Sequence, residues 1–88
     1  MKKDKPDSFM PLFIADYLAD TTHLERDEHG AYFLLLMAYW RNGGPLVADD
    51  ARLSRIAKAT PAEWKRLRPV MLEFFKEEDG LWISKRSD

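Results

Sequence analysis

The chain has 88 residues, of which 45% are hydrophobic and 12% aromatic, enough apolar material for one small core. Its lack of cysteine excludes a disulfide framework, and its net charge of −1 excludes a protein that coats nucleic acid through bulk charge. Neither a membrane span nor a signal-peptide pattern is present, so we predict a cytoplasmic protein with no membrane contact. We expect a flexible, charged lead-in at residues 1–8 and a single domain at residues 9–86.

The charge is unevenly distributed along the chain. Residues 1–50 carry 5 cationic and 9 acidic side chains, a balance of −4, whereas residues 51–88 carry 9 and 6, a balance of +3. Between Arg52 and Arg68 there are six cations and one acid, Glu63. A local basic surface is therefore the electrostatic feature to examine for a nucleic-acid partner.

The first long element is a helix in the N-terminal half. About one helical turn is expected at residues 16–20. Thr22-His23-Leu24-Glu25 has the spacing of a capping box, and Glu25 itself is a second possible start for the long helix. The helix is predicted to run to about Arg41 and to end at the Asn-Gly-Gly-Pro string of residues 42–45.

Three shorter elements follow. A helix is predicted at residues 50–58, where apolar residues recur on one face. Thr60-Pro61-Ala62-Glu63 combines a cap, a proline at the first helical position and a glutamate at the third, which predicts a helix at residues 61–75. Asp79-Gly80 favours a tight turn and predicts a hairpin over residues 74–85.

Two helices separated by about three residues are typical of a helix-turn-helix, and a hairpin after them makes the motif winged. We therefore predict an α+β, mainly helical fold: a winged helix-turn-helix with three helices and a C-terminal β-hairpin wing. A third strand is expected from residues 9–14 or from Leu46-Val47. In the hairpin, Leu81 and Ile83 are expected to face inward, which makes Trp82 a candidate for exposure.

Several strings occur in a recognisable order: Ala15-Asp16-Tyr17-Leu18-Ala19-Asp20-Thr21, Leu24, Glu28-His29-Gly30-Ala31-Tyr32, Tyr39-Trp40-Arg41-Asn42-Gly43-Gly44-Pro45-Leu46, Trp64-Lys65-Arg66, and Phe74-Phe75 before Asp79-Gly80. Together they resemble a phage- and prophage-encoded domain of unknown function that commonly lies at the N-terminus of proteins assigned to phage replication initiation. The resemblance covers about residues 9–86. It implies a winged-helix-like module attached to longer replication-associated proteins, and it transfers no functional residue.

The basic residues form the first candidate site. In a helix-turn-helix the first helix crosses the DNA backbone and the N-terminal part of the second enters the major groove, while a wing flanks the duplex. The alternative is an ordinary solvated surface, since Glu73 and the acidic turn at residues 77–79 would repel phosphate. The candidate DNA-binding residues are Arg52, Arg55, Lys58, Lys65, Arg66, Lys85 and Arg86.

The second candidate site is on the long helix, where every residue from Ala31 to Trp40 is apolar. A domain of this size seldom covers such a helix on all sides, so part of it is expected to meet a second copy or a replication-protein partner. The alternative is a central helix wrapped entirely by the others. The candidate partner-binding residues are Phe33, Leu34, Met37 and Trp40.

The sequence contains no motif typical of metal binding, catalysis or cofactor binding. His23 and His29 are six residues apart, which is not the i, i+4 spacing of helical metal pairs, so we predict no metal site. No nucleophile lies in register with a base, and Gly43-Gly44-Pro45 is typical of a helix end, so we predict no catalysis and no cofactor. We expect a DNA-binding module of a phage or prophage replication-associated protein; the alternative is a protein-interaction or oligomerisation module.

Overall fold

The computed structural model describes residues 14–85. The predictions for the lead-in at residues 1–8, for the extended segment as far as residue 13 and for Arg86 lie outside the described residues. The fold is α+β and mainly helical, as predicted. Its elements in chain order are α1 (Ile14–Thr21), α2 (Arg26–Asn42), β1 (Leu46–Val47), α3 (Asp50–Ile56), α4 (Pro61–Met71), β2 (Phe75–Glu78) and β3 (Leu81–Ser84).

Residues 14–85 contain four helices, one more than predicted, because α1 extends over two turns instead of about one. The N-terminal cap of α2 is Glu25, the second of the two predicted starts, and its backbone N–H donates to the Glu28 carboxylate at 2.7 Å. At the other end, Gly43 adopts a left-handed conformation with φ 80°, so that its N–H reaches the Trp40 carbonyl. No helix in this part of the chain is long and apolar enough to cross a membrane.

The caps of α3 and α4 are local and agree with the sequence pattern. Asp49 accepts a hydrogen bond from the N–H of Arg52 at 3.2 Å. Thr60 and Glu63 form a reciprocal capping box, with bonds of 3.2 Å and 2.9 Å. The predicted ends were too late, since α3 ends at Ile56 instead of residue 58 and α4 at Met71 instead of residue 75.

A three-stranded antiparallel sheet closes the fold, with the strand order β1-β3-β2. The hairpin turn is Asp79-Gly80, as predicted, and both residues have positive φ values, 54° and 74°. Leu46 pairs with Trp82, which confirms that Leu46–Val47 supplies a third strand.

The predicted orientation of β3 was wrong. Trp82 is fully buried and Ser84 is also buried, whereas Leu81 is 36% exposed. Trp82 lies on the face of β3 that packs on the core, where its indole lies against Phe75, with ring centroids 5.5 Å apart, and near Trp64 of α4. The Trp82 indole N–H donates to the Glu77 carboxylate at 3.0 Å, so its polar atom is satisfied.

The core lies between α2 and the other elements, since α2 packs against α3, α4 and β1. Aromatic rings join its parts: Tyr32 stacks on Phe74 at 4.4 Å, and Trp64 lies 5.9 Å from Trp82. This packing holds α3 and α4 against one side of α2 and thereby determines which of their side chains face solvent.

Candidate nucleic-acid interface

Helix α3 presents two arginines to solvent. Leu53 and Ser54 are buried, and Ala57 just after the helix is buried as well. Successive residues are rotated by about 100°, so Arg52 and Arg55 lie on the opposite face, and both are exposed. The predicted orientation of these two cations is therefore the observed one.

Two lysines extend this surface beyond α3. Lys58 is exposed in the turn between the helices, where its φ of 58° places it in the left-handed region. Lys65 is exposed on α4, which packs against α3. We call Arg52, Arg55, Lys58 and Lys65 the basic surface; within residues 14–85, none of the four has an ion-pair partner.

Arg66 is different, because it is engaged by an acid from another helix. Its guanidinium forms an ion pair with Asp27 in the first turn of α2, and both side chains remain about half exposed. The hydrogen bond from Arg66 holds the pKa of Asp27 below its ordinary value, and the same bond raises the pKa of Arg66. Sequence reasoning placed Arg66 among the DNA contacts without identifying this partner, which is 39 residues away.

Arg68 is also engaged within the domain. It donates to Asp50 at 3.0 Å and to Glu77 at 2.9 Å, and its guanidinium lies 5.8 Å from the centroid of Trp82. The Trp64 indole N–H donates to the same Asp50 carboxylate, and this bond is the main cause of the lowered pKa of Asp50. Arg68 thus links α3, α4 and β2, which is a structural role.

The exposed face of α4 carries few side chains that can donate to DNA. Ala62 and Pro69 lie opposite the buried side chains of Trp64 and Leu67, at the middle of that face. Just after the helix, the exposed Glu73 bonds the His23 imidazole at 2.8 Å.

The hairpin contributes little unpaired positive charge, because Lys76 of β2 pairs with Glu78 at 3.8 Å. Lys85 follows β3 at the end of the hairpin away from the turn, and its ammonium lies 3.5 Å from the Leu72 carbonyl. The turn itself is acidic, with Glu78 and Asp79 both exposed. Of the two predicted wing contacts, Lys85 is therefore far from the turn, and Arg86 lies outside the described residues.

The second candidate surface is the side of α2 that faces away from the core. Leu35, Leu36 and Tyr39 are buried, whereas Met37 is 40% exposed. Phe33, Leu34 and Trp40 of the same helix are partly buried. We call Phe33, Leu34, Met37 and Trp40 the apolar surface.

Neither end of the apolar surface is fully exposed. Phe33 packs edge-on against Tyr17 of α1, with ring centroids 5.9 Å apart. Trp40 lines a surface hollow together with Tyr39, Gly43 and Gly44. Met37 between them is the most exposed member.

Both histidines contact side chains of other helices or loops in the fold. The Tyr17 hydroxyl lies 3.4 Å from the Nδ1 atom of His29, and His23 pairs with Glu73. Residues 14–85 contain no group of three histidine or acidic side chains placed to hold a metal ion.

Comparison with known proteins gives two matches. A family model described as protein of unknown function (DUF1376) matches residues 8–88. The uncharacterized protein YdaU of Escherichia coli (strain K12) is 45% identical over 78 residues, which cover 89% of this chain. The matched region is only 27% of the length of that relative. No solved structure matches the chain.

Proposed function

The chain belongs to the DUF1376 family of proteins of unknown function, and we propose that it is a winged helix-turn-helix domain that binds DNA. From α2 onward, the element order supports this proposal: a helix, a short strand, two helices joined by a tight turn, and a hairpin whose second strand pairs with the short strand. The resemblance of its sequence to phage and prophage domains supports a place in a replication-associated protein.

The observation that carries the proposal is the basic surface. Phosphate contacts supply most of the affinity of proteins for DNA, and each requires a cation that is free to meet a phosphate. Arg52 and Arg55 project from the first helix of the motif, which in a helix-turn-helix crosses the backbone. No carboxylate in the described part of the chain pairs with them, so no ion pair within residues 14–85 has to break before they meet a phosphate.

Fluorescence anisotropy with labelled duplex DNA at several salt concentrations tests the proposal. Four phosphate contacts predict a slope of log K against log salt of about −3 to −4. The double variant R52A/R55A is expected to lose about half of that slope, whereas R41A, which removes one exposed cation from α2, is expected to leave it unchanged. Absence of binding to duplex at low salt would refute the proposal.

A second candidate function is protein interaction or self-association, and the apolar surface favours it. Met37 is 40% exposed beside the partly buried Phe33, Leu34 and Trp40, so four apolar side chains of α2 reach the surface together. Light scattering over a range of concentrations tests self-association. If it occurs through this surface, M37E is expected to abolish it, while V47E, which alters another exposed apolar side chain, leaves it intact. A monomeric mass at all concentrations would exclude self-association.

A further inference from the structure

Helix α4 corresponds to the recognition helix of the proposed motif, yet its exposed face is poorly suited to reading bases. The strongest direct readout in the major groove uses arginine or lysine on guanine and asparagine or glutamine on adenine, each side chain making two hydrogen bonds to one base. The middle of the face is formed by Ala62 and Pro69, neither of which has a side-chain hydrogen-bonding group. The exposed residue nearest the N-terminus with a polar side chain is Glu63, whose carboxylate already accepts the N–H of Thr60.

Acidic groups flank the same face. Asp27 of α2 holds the guanidinium of Arg66, with Glu25 and Glu28 close enough to act on its charge. Glu73 lies just beyond the C-terminal end of α4. Among the described residues, Lys65 is thus the one exposed side chain of α4 that can make such a two-bond contact and has no ion-pair partner.

We infer that the domain binds the phosphates of duplex DNA without reading base sequence, and that Asp27 limits the affinity by retaining Arg66. This inference rests on the proposed DNA-binding function and specifies its ligand as the sugar-phosphate backbone. The contacts come from the basic surface, in which three of the four cations lie on α3 or directly after it. Lys65 adds a phosphate contact from the start of α4.

Three labelled duplexes of equal length and unrelated sequence, together with a duplex pool of randomised sequence, test the first part. The three dissociation constants are expected to agree within about twofold, since phosphate contacts carry no sequence information. Repeated selection from the pool is expected to enrich no motif. Enrichment of a sequence that binds at least about tenfold tighter than the pool would overturn the inference and leave DNA binding intact. Failure to bind every duplex would instead refute the proposed function itself.

Asp27→Asn tests the second part. It removes the charge that retains Arg66 and leaves at most a neutral hydrogen bond, so one further phosphate contact is expected to make the salt slope steeper by up to about 0.9 and to raise affinity by up to about eightfold near 0.1 M salt. Asp16→Asn is the matched control, because it changes the net charge equally from an exposed position on α1. Equal affinities for these two variants would show that Asp27 does not restrain Arg66, and thermal melting establishes that both are folded.

Discussion

Trp82 offers a direct test of the packing that orients the hairpin. Its indole is fully buried, lies 5.5 Å from Phe75 and 5.9 Å from Trp64, and donates its N–H to Glu77. Trp82→Ala removes this whole set of contacts and leaves a cavity that neighbouring rings fill only partly. Losses of about 3–5 kcal/mol are usual for such a change. Because the free energy of unfolding of a domain of this size is about 4–13 kcal/mol, the variant is expected to lose a large part of its stability.

Two further variants, Trp82→Phe and Leu81→Ala, separate the contribution of the buried ring from those of the Glu77 hydrogen bond and of the outer face of β3. The phenylalanine keeps an aromatic ring in the core but loses the bond to Glu77 and part of the buried area, so we expect a cost of about 1–2 kcal/mol. Glu77 retains Arg68 as a donor and is about half exposed, so it is not stranded. Leu81, the adjacent residue in β3, faces the outer side of the sheet, and its truncation is expected to cost under about 1 kcal/mol.

Urea unfolding followed by circular dichroism gives the free energy of unfolding for each variant without depending on tryptophan fluorescence. The expected order of destabilisation is Trp82→Ala, then Trp82→Phe, then Leu81→Ala. A larger loss for Leu81→Ala than for Trp82→Ala would mean that the opposite face of the hairpin is buried, and the reasoning about β3 would be refuted.

Two further predictions concern a pair of glycines and a pair of carboxylates. Gly43→Ala is expected to cost about 1 kcal/mol because its φ of 80° strains an alanine, whereas Gly30→Ala, inside α2 with open space at its Cβ, is expected to stabilise by up to about 1 kcal/mol. Urea midpoints of the two variants check this pair, and equal effects would contradict it. Asp27 and Asp50 have pKa values below the ordinary 3.8, so their contribution to stability is present above that pH and is lost as the pH falls through their lower folded values. The free energy of unfolding, measured by denaturation at about pH 6 and about pH 3, should therefore fall less on acidification for Asp27→Asn and Asp50→Asn than for the unaltered chain. An identical fall would contradict the lowered pKa values of the two carboxyl groups.

Local features of this protein were predictable from sequence because their causes lie within a few residues. The capping box of Thr60 and Glu63, the glycine that ends α2 and the Asp79-Gly80 turn each depend on backbone groups close by in the chain. The outward direction of Arg52 and Arg55 followed in the same way, since a helix of known start and apolar stripe determines its opposite face.

Only the tertiary structure decided which face of β3 is buried and which cations remain unpaired. Alternation divides a strand into two faces, but both faces of β3 contain large apolar residues, and the helices packed on one side selected Trp82. The partners of Arg66 and Arg68 come from α2, α3 and β2, at separations of 9 to 39 residues. These ion pairs depend on how the helices and strands pack, which a pattern of neighbouring residues does not predict. The sequence by itself therefore determined the order of α2, α3, α4 and the hairpin, while packing decided which charged side chains are left without a partner among the described residues.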